Sequence, residues 1–358
     1  MSRYLSERLR SLEPYVPGEQ PQDRVYVKLN TNESPFAPDE RVVEAVRKEA
    51  ERLQLYPDPT CRKLKQALAA RYGVKETQVL VTNGSDEALN FAIFSYCDDD
   101  RPVVYPDISY GFYSVFADLY NLERTVVPLK ADFTMDVEAI CKARGMVVIA
   151  NPTAPTGIAL GLDAIETILK SDPDRIVLID EAYVDFGAQS CVPLIRDYEN
   201  LIVVQTFSKS RSMAGARLGF LIANEALIRD LEAVRNSTNP YNINRMTMAA
   251  GIAALECDKI AQERCGRIIQ IREEVKTALE DLGCEVLPSS TNFLFAKPPV
   301  GTGKEWYLGI KEKGVLVRYL KGERTGAFVR ITIGSRDQMD RFLEATRAYF
   351  EEAEHEKK

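Results

Sequence analysis

Three short apolar runs, residues 146–150, 176–179 and 201–205, are each followed at once by a polar cluster, and this repetition constrains the fold more than any other feature. The runs are rich in Val and Ile and read as strands buried on both faces, the habit of a parallel sheet. Strand and helix patterns alternate from about residue 79 to 223. The expected architecture is therefore α/β, a doubly wound, mostly parallel sheet. In such a sheet, side chains at the carboxyl ends of successive strands converge on one crevice. Asn151, Asp180 and Lys209, which follow the three runs, are expected to meet there.

The residue types give each position a task. A lysine at a strand mouth, beside Ser208 and followed after small residues by Arg217, suits an amine that forms a Schiff base while its neighbours hold a phosphate. That combination points to pyridoxal phosphate. Asp180 can keep a pyridine nitrogen protonated, which makes the ring an electron sink. Asn151 and Tyr183 can hydrogen bond the ring's phenolic oxygen, and Lys209 can move a proton at the substrate's α carbon. A plainer reading makes Asp180 a solvated strand end or a metal-binding acid. Residues 176–181 also resemble the magnesium-binding strand of a P-loop ATPase, but the one candidate phosphate loop, residues 301–304, has Pro298 at the first glycine position and Glu305 where Ser or Thr should reach the metal. No strand is followed by the glycine pattern of a dinucleotide fold. No metal site is expected.

The phosphate needs a cradle, and residues 79–89 offer one: a strand, a turn at Gly84, then Ser85 and Asp86 opening a helix. Free backbone N–H groups and the positive helix end favour an anion there. An ordinary cap by Ser85 or Asp86 is the competing reading. Tyr110, in the loop after residues 102–105, can stack on the pyridine face.

Together these residues resemble the fold type I, pyridoxal-phosphate-dependent aminotransferases, in the family's order over nearly the whole chain. The sequence is most similar to the histidinol-phosphate aminotransferase family. Leu12-Glu-Pro-Tyr-Val-Pro-Gly18 and Leu29-Asn-Thr-Asn-Glu-Ser-Pro35 are similar to that family's opening, and Pro240-Tyr-Asn-Ile-Asn244 to a loop beside its site. The resemblance implies a homodimer with shared sites, in which Tyr56 reaches the neighbour's cofactor phosphate. It also implies that Tyr15, Arg318 and Arg330 surround the substrate's anionic end. The chain departs from the family at Thr153 and Ala154, where asparagines are usual, while Asn151 is kept.

Net charge is −7 without a basic block, so nucleic acid and anionic membranes are repelled and an anionic substrate must be met by local arginines. Seven cysteines, an odd number with no C-x-x-C spacing, argue against a zinc cluster and a disulfide framework. No signal-like start follows Met1 and no long apolar run occurs, so a cytosolic location without membrane attachment is expected. The single histidine, His355, lies in a charged tail, residues 351–358, expected to fray; histidine-based hydrolases are thereby excluded.

With 358 residues and 45% apolar content, the chain can bury a large core. The expected division is an amino-terminal segment, 1–35, associated with the small domain and partner subunit, a large cofactor domain, 36–255, and a small α+β domain, 256–358. Within the latter, a long helix at 259–281 closes at Gly283. Strands are expected at 285–287, 292–296, 315–319 and 328–333, and helices at 304–313 and 336–349. The activity these readings imply is transfer of an amino group from a donor such as glutamate to an anionic keto acceptor such as imidazole acetol phosphate. An aromatic amino acid aminotransferase and a threonine-phosphate decarboxylase of the same fold are alternatives, and a cofactor-free binding protein is the alternative from another class.

Overall fold

The chain enters its folded body through a two-residue strand, β1 (Val27–Lys28), whose partner lies almost 300 residues away, at Val315. The computed structural model describes residues 2–10 and 12–355. Seven strands build the central sheet: β2 (Val79–Thr82), β3 (Val103–Pro106), β4 (Arg124–Val127), β5 (Met146–Ala150), β6 (Val177–Asp180), β7 (Leu201–Thr206) and β8 (Gly219–Ala223). Their order is β2-β8-β7-β6-β5-β3-β4. All pairings are parallel except the two made by β8, which runs antiparallel to β2 and β7.

Alternation within the strands separates two cores. Val147, Ile149, Val177, Ile179, Leu201 and Val203 join one apolar cluster, and Met146, Val148, Leu178, Ile202 and Val204 join another. Each fully buried aliphatic side chain is worth roughly 1.5–3 kcal/mol, more than the ~1 kcal/mol net of a ladder hydrogen bond. A one-residue slip would exchange the two faces of a strand, so side-chain packing holds the register. That register brings β5, β6 and β7 to an end at one edge.

Beyond the sheet, the helix Asp258–Asp281 carries the chain onward and stops before Gly283, whose φ of +82° suits glycine. A second sheet follows, built from β9 (Glu285–Val286), β10 (Phe293–Lys297), β12 (Arg318–Tyr319) and β13 (Val329–Thr332) in the order β12-β13-β10-β9. The single strand expected over 315–319 is broken. Its first part, β11 (Val315–Leu316), is captured in parallel by β1, with the Val27 N–H on the Gly314 carbonyl (2.9 Å) and the Leu29 N–H on that of Leu316 (2.8 Å).

Val27 and Leu29 thus join the apolar cluster of Trp306, Leu294, Ile331 and Phe342. The last helix, Arg336–His355, is longer than expected. Phe350 packs on Trp306 with ring centres 5.6 Å apart and Lys313 pairs with Glu352, so residues 351–355 stay helical where fraying was expected. Residues 356–358 of that tail lie outside the described residues.

Candidate active site

Asp180 is the last residue of β6 and is buried. Its Oδ2 accepts the Tyr113 hydroxyl at 3.0 Å and its Oδ1 the Ala182 N–H at 3.1 Å. Burial nevertheless pushes the carboxyl up to about 6. One strand over, the chain leaving β7 makes a tight hydroxyl-held turn: the Ser208 N–H donates to Thr206 Oγ1 (3.1 Å), whose proton goes to Ser208 Oγ (2.9 Å). The turn delivers Lys209 into the same space. Its Nζ donates to the Thr31 carbonyl at 3.1 Å and lies 5.9 Å from the centre of the Tyr183 ring. Burial, and then the charge of Arg330, bring the amine down to about 8.

A third wall is the amino end of the helix Gly84–Tyr96, whose first N–H groups are not capped by the side chain of the preceding Asn83. The helix begins at Gly84, so Ser85 and Asp86 sit inside its first turn instead of capping it. Arg217 folds over this end and pairs with Asp86 at 3.1 Å, while Tyr110 donates its hydroxyl to the other Asp86 oxygen at 2.8 Å. Gly84 makes the approach possible, because a Cβ there would lie 2.8 Å from Arg217 Nη2, and its φ is +76°. Asp86 therefore orients Arg217 and Tyr110, and the groups at this end able to donate to an anion are the helix N–H groups, Ser85, Ser208 and Arg217.

The opposite wall is cationic. Arg330, on β13, donates to the Asn30 carbonyl at 3.1 Å and lies over the Phe293 ring at 5.3 Å. Arg318, its Cα partner on β12, donates to the carbonyls of Pro17 and Val16, both at 3.1 Å. Tyr15 stacks on Phe112 with centres 4.5 Å apart. One cavity of about 410 Å³ is lined by Tyr15, Ser85, Asp86, Tyr110, Asp180, Tyr183, Ser208, Lys209, Arg217, Arg318 and Arg330.

Two expected residues are not part of that lining. Asn151 ends β5 as anticipated, but its amide turns to Leu160, accepting that residue's N–H at 2.8 Å and donating to its carbonyl at 3.2 Å. Those two bonds brace the loop after β5 and use one of the two amide protons of Asn151, which leaves the other for the expected ring oxygen. Tyr56 lies outside the cavity, 79% exposed and stacked on Tyr241 at 4.7 Å.

Other site residues escaped the sequence reading. Tyr113, fully buried behind Asp180, sits in the aromatic helix Phe112–Tyr120, where nothing distinguishes it from core. The carbonyls of Thr31 and Asn30, and Asn32, which donates to the Tyr183 hydroxyl at 2.9 Å, come from the Asn-Thr-Asn-Glu motif. That motif was legible as a resemblance, without a role for its members. Among the described residues, no group of three or more His, Cys, Asp or Glu side chains is arranged to hold a metal ion.

The pattern of the family described as aminotransferase class I and II matches residues 24–345. The chain belongs to that family. Among relatives of this class I and II aminotransferase, a histidinol-phosphate aminotransferase of a Marinomonas species is 48% identical over 345 residues, covering 95% of this chain and 97% of the relative. One from Clostridium acetobutylicum is 43% identical over 345 residues, covering 96% and 98%. The crystal structure of histidinol-phosphate aminotransferase from Sinorhizobium meliloti in complex with pyridoxal-5'-phosphate has the same fold, with a TM-score of 0.88 at 24% identity, covering 98% of this chain and 99% of that one. The aminotransferase fold thus places the Lys209 and Asp180 strand ends opposite a pair of arginines.

Proposed function

We propose that this aminotransferase uses pyridoxal 5'-phosphate, bound at Lys209, to exchange an amino group between L-histidinol phosphate and 2-oxoglutarate, forming imidazole acetol phosphate and glutamate. The observation that carries the reading is a half-buried lysine and a buried carboxylate at adjacent strand ends, facing two guanidiniums held on backbone carbonyls in one cavity. Relatives bearing that name at 43–48% identity over nearly the whole chain support the substrate.

The residues fit the cofactor. The helix amino end, Ser85, Ser208 and Arg217 offer the donors a phosphate needs, and Asp180, raised to about 6 by burial, would gain from a cationic ring nitrogen beside it. When bound, pyridoxal phosphate supplies a conjugated cationic ring that accepts the electron pair released as the substrate's Cα–H bond breaks. Tyr113 and the Ala182 N–H hold Asp180 in place for that ring. Lys209 Nζ, with its pKa brought down to about 8, is the base that moves the proton from the substrate's α carbon. Arg330 and Arg318 take the anionic end, carboxylate in glutamate and phosphate in histidinol phosphate, since a planar guanidinium accommodates either. Both half-reactions then share one cationic wall.

We further read the enzyme as a cytosolic homodimer in which Tyr56 reaches the partner's phosphate site. Support comes from the exposed Leu53, Leu55, Tyr56 and Tyr241, and from seven free cysteines. No helix among the described residues is long and apolar enough to cross a membrane. The deciding assay compares kcat/KM for imidazole acetol phosphate and phenylpyruvate with glutamate as donor. A large preference for the phosphate is expected; the reverse preference would replace this reading with an aromatic amino acid aminotransferase.

A further inference from the structure

Asn32 lies in the segment that crosses the cavity between the two sheets, and its hydrogen bonds can be followed atom by atom. Its backbone N–H donates to Thr332 Oγ1 at 3.0 Å. An N–H can only donate, so the Thr332 proton must go elsewhere, and Asn32 Oδ1 lies 3.0 Å away to receive it. That contact identifies the oxygen end of the Asn32 amide. The other end, Nδ2, is then the donor 2.9 Å from the Tyr183 hydroxyl oxygen. Since Tyr183 accepts there, its own proton is turned away from Asn32.

We propose that Asn32 is a positioning residue, oriented by Thr332, that makes the Tyr183 hydroxyl offer its proton to the cavity. The assembly is dry enough to hold one orientation. Asn32 and Thr332 are buried, as is Asn292, which donates to the Asn32 carbonyl at 3.0 Å, and the Thr332 N–H holds the Leu29 carbonyl at 3.0 Å. Tyr183 and Lys209 share the cavity wall. Burial raises the Tyr183 phenol above its ordinary value although Arg330 and Asn32 pull it down, so the proton is present at neutral pH.

Asn32 has a second reason to be asparagine, because its φ of +55° is left-handed, a conformation asparagine and glycine tolerate best. Asn32→Gly keeps that backbone and removes the amide. Asn32→Asp keeps shape and backbone but replaces the donor by an acceptor, which draws the Tyr183 proton to itself. For the proposed reaction, on which only this consequence rests, a donor at Tyr183 stabilises negative charge on the cofactor's ring oxygen.

The test uses the full chain loaded with pyridoxal phosphate. The pH midpoint of the bound cofactor's absorbance is measured, with the 13Cζ resonance of Tyr183 assigned through Tyr183→Phe. Asn32→Asp is expected to raise the midpoint by about one pH unit and to lower kcat about tenfold at little changed KM, the worth of one buried hydrogen bond. Asn32→Gly and Thr332→Val should raise the midpoint less, and Thr332→Ser should return the midpoint and the Tyr183 resonance to native positions. A native midpoint in Asn32→Asp, or identical behaviour of Thr332→Val and Thr332→Ser, overturns the proposal. If substitutions at 32 prevent folding, the Thr332 pair decides alone. An enzyme that rejects histidinol phosphate but still shows these shifts refutes the proposed substrate and leaves the role of Asn32 standing.

Discussion

The two ends of the cavity are built by different means. At the cofactor end, Asp180 and Lys209 stand at the mouths of neighbouring parallel strands, and pairing of Asp180 with Val204 sets their separation through strand register. At the substrate end, Arg318 and Arg330 face each other as Cα partners in an antiparallel pair, an arrangement that repels. Among the described residues neither guanidinium makes a salt bridge to a carboxylate, although Arg318 is close enough to help lower the Glu19 carboxyl; each hydrogen bonds to backbone carbonyls supplied by residues 16, 17 and 30. One end is a finished set of partners. The other is a positive field open to an anion, so substitutions at the two ends should differ in kind.

The largest effect is expected at Lys209. Lys209→Ala should lower single-turnover transamination of glutamate by on the order of 10⁴-fold or more, because base and covalent anchor vanish together. Near-native turnover, or borohydride labelling of another lysine, would remove Lys209 from the mechanism. Next comes Asp180→Ala, expected to cost on the order of 10³-fold in kcat, with Tyr113→Phe costing about tenfold because it removes one of the carboxylate's donors. Equal effects of the two would mean that Tyr113 does more than orient Asp180.

At the cationic wall, Arg330→Ala should lower kcat/KM by about 10²-fold for both glutamate and histidinol phosphate, and Arg330→Lys by less. The same variant links the two ends. Only the unprotonated amine attacks a carbonyl, so uptake of pyridoxal phosphate by cofactor-free enzyme should quicken as pH rises through about 8, the value to which burial and Arg330 bring Lys209. Removing the Arg330 cation makes the protonated amine less costly and moves that midpoint upward. Stopped-flow absorbance measures it; an unmoved midpoint would mean that burial alone sets the lysine. The smallest effect belongs to Tyr56→Phe, expected to weaken cofactor binding by about tenfold at most in a dimer, the loss of one hydrogen bond. Sedimentation of a fully active monomer would end the shared-site reading.

The cofactor end was readable because its logic is local: an apolar run, then the residue that acts. β5 matches its expected bounds, and β6 and β7 differ from theirs by a residue at one or both ends. Asn151 shows where that logic stops, since the orientation of its amide depends on Leu160 folding back, which no strand pattern encodes. Tyr113 was hidden among aromatics that pack as core. The other end depends on distance along the chain. That Arg318 and Arg330 meet Asn30 and Pro17 follows from β1 joining β11, a pairing of two short segments with no periodicity to detect.

The same pairing bears on how a ribosome delivers this protein. Residues 27–33 are made well before their partners, Gly314, Leu316, Asn292 and Thr332. The central sheet, complete by Ala223, needs none of them for its own pairings. A nascent chain can therefore assemble the strand ends that carry Asp180 and Lys209 long before the Thr31 carbonyl arrives at the amine. Competence waits until residues 27–33 are threaded against partners made long after them.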